Sequence, residues 1–259
     1  MRIATWNVNS LKARLPRVEE FLGYAEVDVL CLQETKLADK NWPALTFQEL
    51  GYESVHYGQG QWNGVAILSR VGISDPSNGF GDAHVDPYEG DARVLAATCG
   101  GMRVTSVYVP NGREVGTEFY DRKLEWFSSL YDWVNAQYSP GDPLVITGDF
   151  NVAPEDRDSY DPVGLAGTIH HTPQEREHFN ALLQLGLADS FRLFEQPPKS
   201  YSWWDYRMLG YQKNRGLRID HVLVSQPLVP RVKSCVIDRV PHKWEKPSDH
   251  APVILELEP

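Results

Sequence analysis

The chain has 259 residues, 42% of them hydrophobic and 23% charged, enough to bury a sizeable core. Its 25 Lys and Arg against 35 Asp and Glu give a formal charge of −10 with histidines neutral, which excludes a globally basic polyanion binder. Any contact with nucleic acid then requires a local positive patch on an acidic surface.

The chain opens with a strand-like run, RIATWNV, followed by a helix-like segment from about Ser10 to Tyr24 with Leu15, Val18, Phe21 and Leu22 spaced for one face. VDVLCLQ and GVAILSR are further strand-like runs, and Ile73–Gly90, rich in Gly, Pro, Asp and Asn, reads as a surface loop. RVLAATC and MRVTSVYV are joined through CGGM, a hairpin signal because paired glycines accept positive φ. A second helix is expected over about Gly116 to Gln137, with Phe119, Leu124, Phe127, Leu130, Tyr131 and Val134 on a stripe. After PLVITGDF, a third helix opens at Thr172-Pro173-Gln174-Glu175, a capping box with Pro at the first helical position. It continues through Phe179, Leu182 and Leu183 to a stop near Gly186, and LRIDHVLV, VKSCVID and APVILEL complete the strand-like runs.

Several runs are nearly continuously apolar, as expected when both faces of a sheet are covered. Hairpins beside crossover helices predict mixed sheets in an α/β fold. VDVLCLQE and PLVITGDFN echo one another, each an apolar strand ending in an acid, and two sheets packed face to face with helices outside accommodate that echo. Residues 1–259 read as a single domain.

Cys31, Cys99 and Cys235 lie far apart in apolar runs with no CxxC pair, so they read as small core residues in a reducing compartment. The opening MRIATWNVNS lacks a secretory pattern, and no apolar run reaches the roughly 18 to 20 residues that span a bilayer. A cytoplasmic protein with no membrane partner is expected. No heptad or sticky strand demands more than a monomer.

The stretch LVITGDFNVAP, from Leu144 to Pro154, carries the first chemical signal. Residues two apart on a strand face the same side, so Asp149 and Asn151 can meet one ligand while Phe150 turns into packing and Gly148 allows a close approach. Other strand ends repeat the pattern: Trp6-Asn7, Gln33-Glu34-Thr35, Tyr108, Asp220 and Ser248-Asp249-His250. Polar residues gather at strand ends because ligands can be met there without a core desolvation penalty.

WNVNSLKAR, LCLQETK, VYVPNGR, GDFNVAP, YSWWDYR, NRGLRIDHVLVS and PSDHAPV stand in that order along nearly the whole chain. Together they resemble the exonuclease III family of abasic-site endonucleases and exodeoxyribonucleases, within the superfamily of endonucleases, exonucleases and phosphatases that share the deoxyribonuclease I fold. The resemblance implies a four-layer α/β sandwich and a divalent metal, magnesium or manganese. It places Asn7 and Glu34 at the metal with Asp249 nearby, Asp149 and Asn151 against the scissile phosphate, and Tyr108 on the phosphate or leaving side. It pairs His250 with Asp220 and makes Asn111 a phosphate contact. Asn9 stands where some relatives carry Asp.

Oxygen ligands such as Glu34 and Asp249 suit a hard cation that uses a substrate phosphate as a further ligand. Zinc fits less well: HExxH is absent, and the His170, His171 and His178 group has poor ligand spacing. Asp149 as the base toward an attacking water, with a charged His250 offsetting phosphate charge, is one assignment. The other makes His250 the base and Asp149, with Asn151 beside it, a metal ligand or proton donor. The residues leave both open, so His250, Asp149 and Asn151 count in either set.

YSWWDYRMLGYQKNRGLRID mixes aromatics with Arg207, Lys213, Arg215 and Arg218, which suits stacking and phosphate binding, with Trp204 and Tyr206 read as core. The resemblance sets Trp203, Leu217 and Ile219 near a pocket for a flipped abasic sugar. Arg113, His242, Lys243 and Lys246 are expected to extend a basic strip toward duplex DNA carrying abasic sites or 3′ ends.

Overall fold

The computed structural model describes residues 1–258. Two mixed six-stranded sheets pack face to face with helices outside, the four-layer α/β sandwich expected. The first sheet holds β1 (Arg2–Asn7), β2 (Val29–Gln33), β3 (Glu53–Tyr57), β4 (Val65–Ser69), β13 (Val232–Ile237) and β14 (Val253–Leu257). Their order across the sheet is β13-β14-β1-β2-β4-β3. The second holds β5 (Ser74–Asn78), β6 (Val94–Cys99), β7 (Met102–Tyr108), β8 (Leu144–Asp149), β9 (Leu187–Asp189) and β12 (Asp220–Ser225), in the order β5-β6-β7-β8-β12-β9. A short ribbon pairs β10 (Trp203–Trp204) with β11 (Gly216–Leu217).

Alternation explains the layers. One side of each sheet supplies the inter-sheet core, with Ile3, Val29 and Cys31 facing Val104, Val145 and Val222. The opposite side of the first sheet packs on α1 (Leu11–Ala25) and α2 (Ala44–Glu49) through Trp6, Phe21 and Phe47. The outer side of the second receives α3 (Glu118–Gln137) and α4 (Pro173–Gln184) through Trp126, Phe127, Phe150 and Phe179. Both faces of the central strands are therefore covered, which accounts for their continuous apolar runs. All three cysteines are buried and free. No described helix is long and apolar enough to cross a membrane.

Local signals worked where the chemistry was local. Cys99 and Met102 pair across a turn in which Gly100 and Gly101 have φ of 55° and 81°. The Thr172 hydroxyl accepts from the Glu175 amide at 3.1 Å, and the Glu175 carboxylate accepts from the Thr172 amide at 3.0 Å.

Two expectations need correction, and two short elements were not foreseen. Ile73–Gly90 is not all loop, because Ser74–Asn78 forms the exposed edge strand β5, whose register slips between Ser74 and Ser77 around Pro76. An edge tolerates the missing N–H of proline. The α3 stripe is as expected at Phe127, Leu130 and Val134, but the buried face also takes in Tyr120, Lys123, Trp126 and Trp133, while Leu124 and Tyr131 are half-buried and Phe119 is 40% exposed. A charge inside the buried face disguised that face. Short β3 and α2 carried too little periodicity to register.

Candidate active site

The tips of both sheets meet at one edge. On the second sheet Tyr108 and Asp149 are register partners on parallel strands, and Asp149 and Asp220 are partners on antiparallel ones. Three polar side chains thus stand on adjacent strands at the same level. Gly148 makes this possible: its φ is 152°, and a Cβ there would lie 1.9 Å from the Val107 carbonyl oxygen. The close approach is to the neighbouring strand. On the first sheet Asn7 pairs with Gln33, and Glu34 follows with a left-handed φ of 50°. His250 arrives just before β14, its amide bonded to the Ser248 hydroxyl, which in turn donates to the Asn7 carbonyl at 2.7 Å.

Asn7 links the sheets, its amide donating to Glu34 Oε1 at 2.8 Å and Asp149 Oδ2 at 2.9 Å. Lys36 meets Glu34 Oε2 at 2.8 Å. Burial tends to raise the Glu34 carboxyl, but Lys36, the Asn7 amide and His250 outweigh it and hold it below the usual range. Asp149 goes the other way: burial, with the Asp220 and Glu34 charges, outweighs His250 and Asn7 and pushes it up to about 7. His250 Nδ1 lies 2.9 Å from Asp220 Oδ2, and its Nε2 lies 3.8 Å from Asp149 Oδ2. Burial opposes charge on the ring, yet Asp220 and Asp149 prevail and push it up to about 10. Burial, then Glu34, holds the Tyr108 phenol well above its ordinary value, so it stays a proton donor.

Among the described residues, one group of three such side chains could hold a metal ion: Glu34, Asp149 and His250, whose ligand atoms lie within 4.8 Å of one another. With His250 held closer to Asp220, at 2.9 Å, and Glu34 paired with Lys36, Asp149 is the less compensated carboxylate of the trio, its one cationic neighbour being His250 Nε2 at 3.8 Å. That excess of buried oxygen donors fits a hard cation. Asp249 stands outside the trio, accepting from Asn9 at 3.1 Å and Trp203 Nε1 at 3.1 Å. Asn151, at φ 51°, donates its amide to the Val109 carbonyl and accepts from Asn111 at 3.3 Å.

The predicted basic strip divides. Arg113, Arg207, Lys213, Arg215, Lys243 and Lys246 are exposed. Arg113 stacks over Phe119 at 3.7 Å, and Arg207 pairs with Asp205. Arg218 does not belong to it. It is 1% exposed, with Nε 2.6 Å from Asp158 and Nη1 2.8 Å from Asp189, so its charge is neutralised inside the fold. His242 packs 4.0 Å from the Tyr211 ring, and burial with Arg239 pushes it down to about 4, so it adds no charge at neutral pH. Trp204 is core, but Tyr206 is 55% exposed, with its hydroxyl donating to the Pro247 carbonyl.

A cavity of about 330 Å³ beside the site is lined by Trp203, Leu217, Arg215, His170 and Tyr160 among others. Ile219 is buried outside that lining, its amide donating to Ser202 Oγ. Several contributors escaped the sequence reading. Ser202 donates to Asp220 Oδ2 at 2.6 Å, Lys36 braces Glu34, and His170 Nδ1 lies 2.6 Å from the Asn151 carbonyl. Lys36 lies inside LCLQETK and Ser202 inside YSWWDYR, both stretches singled out in the sequence, but no local signal marks either side chain as a partner of the site.

The sequence pattern of the Endonuclease/Exonuclease/phosphatase family matches residues 4–250. Exodeoxyribonuclease III of Haemophilus influenzae is 33% identical, with 99% of this chain and 100% of that protein aligned. Among solved structures, the 3′ phosphatase NExo from Neisseria, bound to a product DNA hairpin, superposes with a TM-score of 0.95 at 41% identity, covering 100% of this chain and 99% of that one. An AP endonuclease from Archaeoglobus fulgidus gives 0.95 at 34% identity, with both chains fully covered.

Proposed function

Because the chain belongs to the Endonuclease/Exonuclease/phosphatase family, we propose that it is a metal-dependent DNA repair nuclease that breaks the bond between phosphorus and a 3′ oxygen. The observation that carries this reading is the trio Glu34, Asp149 and His250 at the meeting point of both sheets. Its substrates are duplex DNA carrying abasic sites, cut on their 5′ side, and 3′ ends bearing nucleotides or blocking groups. Both reactions expel a 3′ oxygen, so one constellation serves both. The protein acts as a monomer in the cytoplasm.

Glu34 and Asp149, both oriented by donation from the Asn7 amide, would hold magnesium or manganese, and Asp249 would act on this group through Asn9. Such a cation, when bound, polarises a phosphoryl oxygen and steadies the leaving 3′ oxygen. Asn151 and Asn111 orient the phosphate through amide donors. The Tyr108 phenol, kept protonated, donates to it. Asp149 takes the proton of the attacking water, a contribution of roughly 10²- to 10⁴-fold. His250, held charged by Asp220, offsets the negative charge that grows on the phosphate. Trp203 and Leu217 receive the sugar, while Arg113 and Arg215 hold flanking phosphates.

A second reading, processing of 3′ ends as the main activity, is favoured by the higher identity to the 3′ phosphatase than to the AP endonuclease. One assay decides: a 3′-phosphate hairpin and a duplex with a single abasic analogue, each with magnesium and with EDTA. Metal-dependent turnover of both supports the first reading, and turnover of the hairpin alone the second. Turnover of neither overturns both.

A further inference from the structure

Lys123 is fully buried, an unusual place for an ammonium. Its Nζ contacts Glu175 Oε1 at 2.5 Å and donates to the carbonyls of Asn151 at 2.7 Å and Asn111 at 3.2 Å. Glu175 is equally buried and fully engaged: Oε1 also accepts from the His170 amide at 3.0 Å, and Oε2 from the Thr172 amide and hydroxyl. His170 Nδ1 closes the circuit on the Asn151 carbonyl. Three loops, carrying Asn111, Asn151 and His170, are therefore tied to one ion pair. Those carbonyls belong to the same two residues whose side-chain amides meet at 3.3 Å, Asn111 donating to Asn151. Asn151 is also in the left-handed region at φ 51°, which asparagine adopts more readily than other side chains.

An apolar pair of similar volume is often as stable as a buried ion pair, so stability alone does not explain the charges. We propose that Lys123 and Glu175 are positioning residues that fix the Asn111 and Asn151 amides in register with the scissile phosphate. The proposal rests on the nuclease reading above. One carbonyl held by two donors sets the peptide plane of Asn151, and that plane sets where its side chain starts. An error of about 1 Å at such a point can cost about 10²-fold in rate.

The test uses the neutral pair Lys123→Met with Glu175→Gln, which removes both charges and keeps an oxygen for the Thr172 cap. Three quantities are read: the thermal midpoint, kcat and KM on the 3′-phosphate hairpin and the abasic duplex, and the side-chain amide resonances of Asn111 and Asn151. The expected result is a folded protein, shifted Asn111 and Asn151 resonances, kcat down about 10²-fold and KM within about threefold. Lys123→Arg, which retains the charge and a donor toward Glu175, should recover at least tenfold of the lost kcat. If the neutral pair does not fold, Glu175→Gln alone carries the same readouts and directions. Unmoved resonances, or kcat within threefold of the parent, overturn the proposal. Should the parent protein cleave neither substrate, the nuclease reading fails, whereas the resonances still report on the clamp.

Discussion

Asp149 and Asp220 are register partners on adjacent strands, yet His250 divides them: Nδ1 is 2.9 Å from Asp220 and Nε2 is 3.8 Å from Asp149. Two carboxylates with the same backbone setting thus acquire different roles. Asp220 is bonded to Ser202 and the ring, while Asp149 faces Glu34 and Asn7 with its charge less compensated.

Asp220→Asn tests the first role. It removes the larger of the carboxylate influences that raise His250 to about 10, so the ring should titrate closer to its unperturbed 6.5. A charged ring is lost as pH rises through its pKa, so the alkaline limb of the rate profile should move to lower pH. At pH 8 kcat should fall about 10²- to 10³-fold with KM little changed. An unshifted alkaline limb would separate His250 charge from catalysis.

Metal affinity should depend on pH through Asp149. In the metal-free protein its carboxyl is held at about 7, so below that a cation must displace a proton. Affinity for manganese, followed calorimetrically without DNA, should rise about tenfold per pH unit up to 7 and then flatten. An affinity independent of pH from 5.5 to 8.5 would remove Asp149 from the ligand set.

Arg218 is predicted to support the fold and not the DNA. Arg218→Met leaves Asp158 with Arg192 alone and takes from Asp189 its ion-pair partner. Loss of one partner of a buried ion pair costs about 3 to 5 kcal/mol, to be seen in urea unfolding. DNA affinity of the folded variant should stay within about twofold. A large affinity loss at unchanged stability would restore Arg218 to the binding surface.

Acid stability carries a histidine signature. Burial and Arg218 push His221 down to about 4, and burial and Lys123 push His170 down to about 3. Both rings bond main-chain carbonyls, Val152 at 2.9 Å and Asn151 at 2.6 Å. The unfolded chain therefore takes up protons first as pH falls. Stability present above about 6.5 is lost toward pH 4, at about 1.4 kcal/mol per pH unit for each ring. Urea midpoints at pH 7 and pH 5 measure this, and equal midpoints would show that neither ring is held neutral.

The legibility of this chain follows the range of the interactions. Central strands, the glycine turn at Gly100-Gly101 and the Thr172 cap were readable because their causes lie within a few residues. The convergence of Glu34, Asp149 and His250 came from strand tips and ordered motifs, although no spacing along the chain measures it. What stayed hidden depends on distant partners. Arg218 looks basic and solvated until Asp158 and Asp189 surround it, and Lys123 looks like the polar side of a helix until Glu175 is placed beneath it. Tyr206 shares a run with buried Trp204 but turns to solvent, since β10 ends at Trp204.

The most direct test of the account is single-turnover cleavage of a 3′-phosphate hairpin and an abasic duplex by Asp149→Asn, with DNA affinity and unfolding followed in parallel. The substitution preserves shape while removing the carboxylate proposed as the base. The account predicts an intact fold, DNA affinity within about threefold, and a cleavage rate lowered by at least about 10²-fold on each substrate that the parent cleaves. A rate close to that of the parent protein would contradict it.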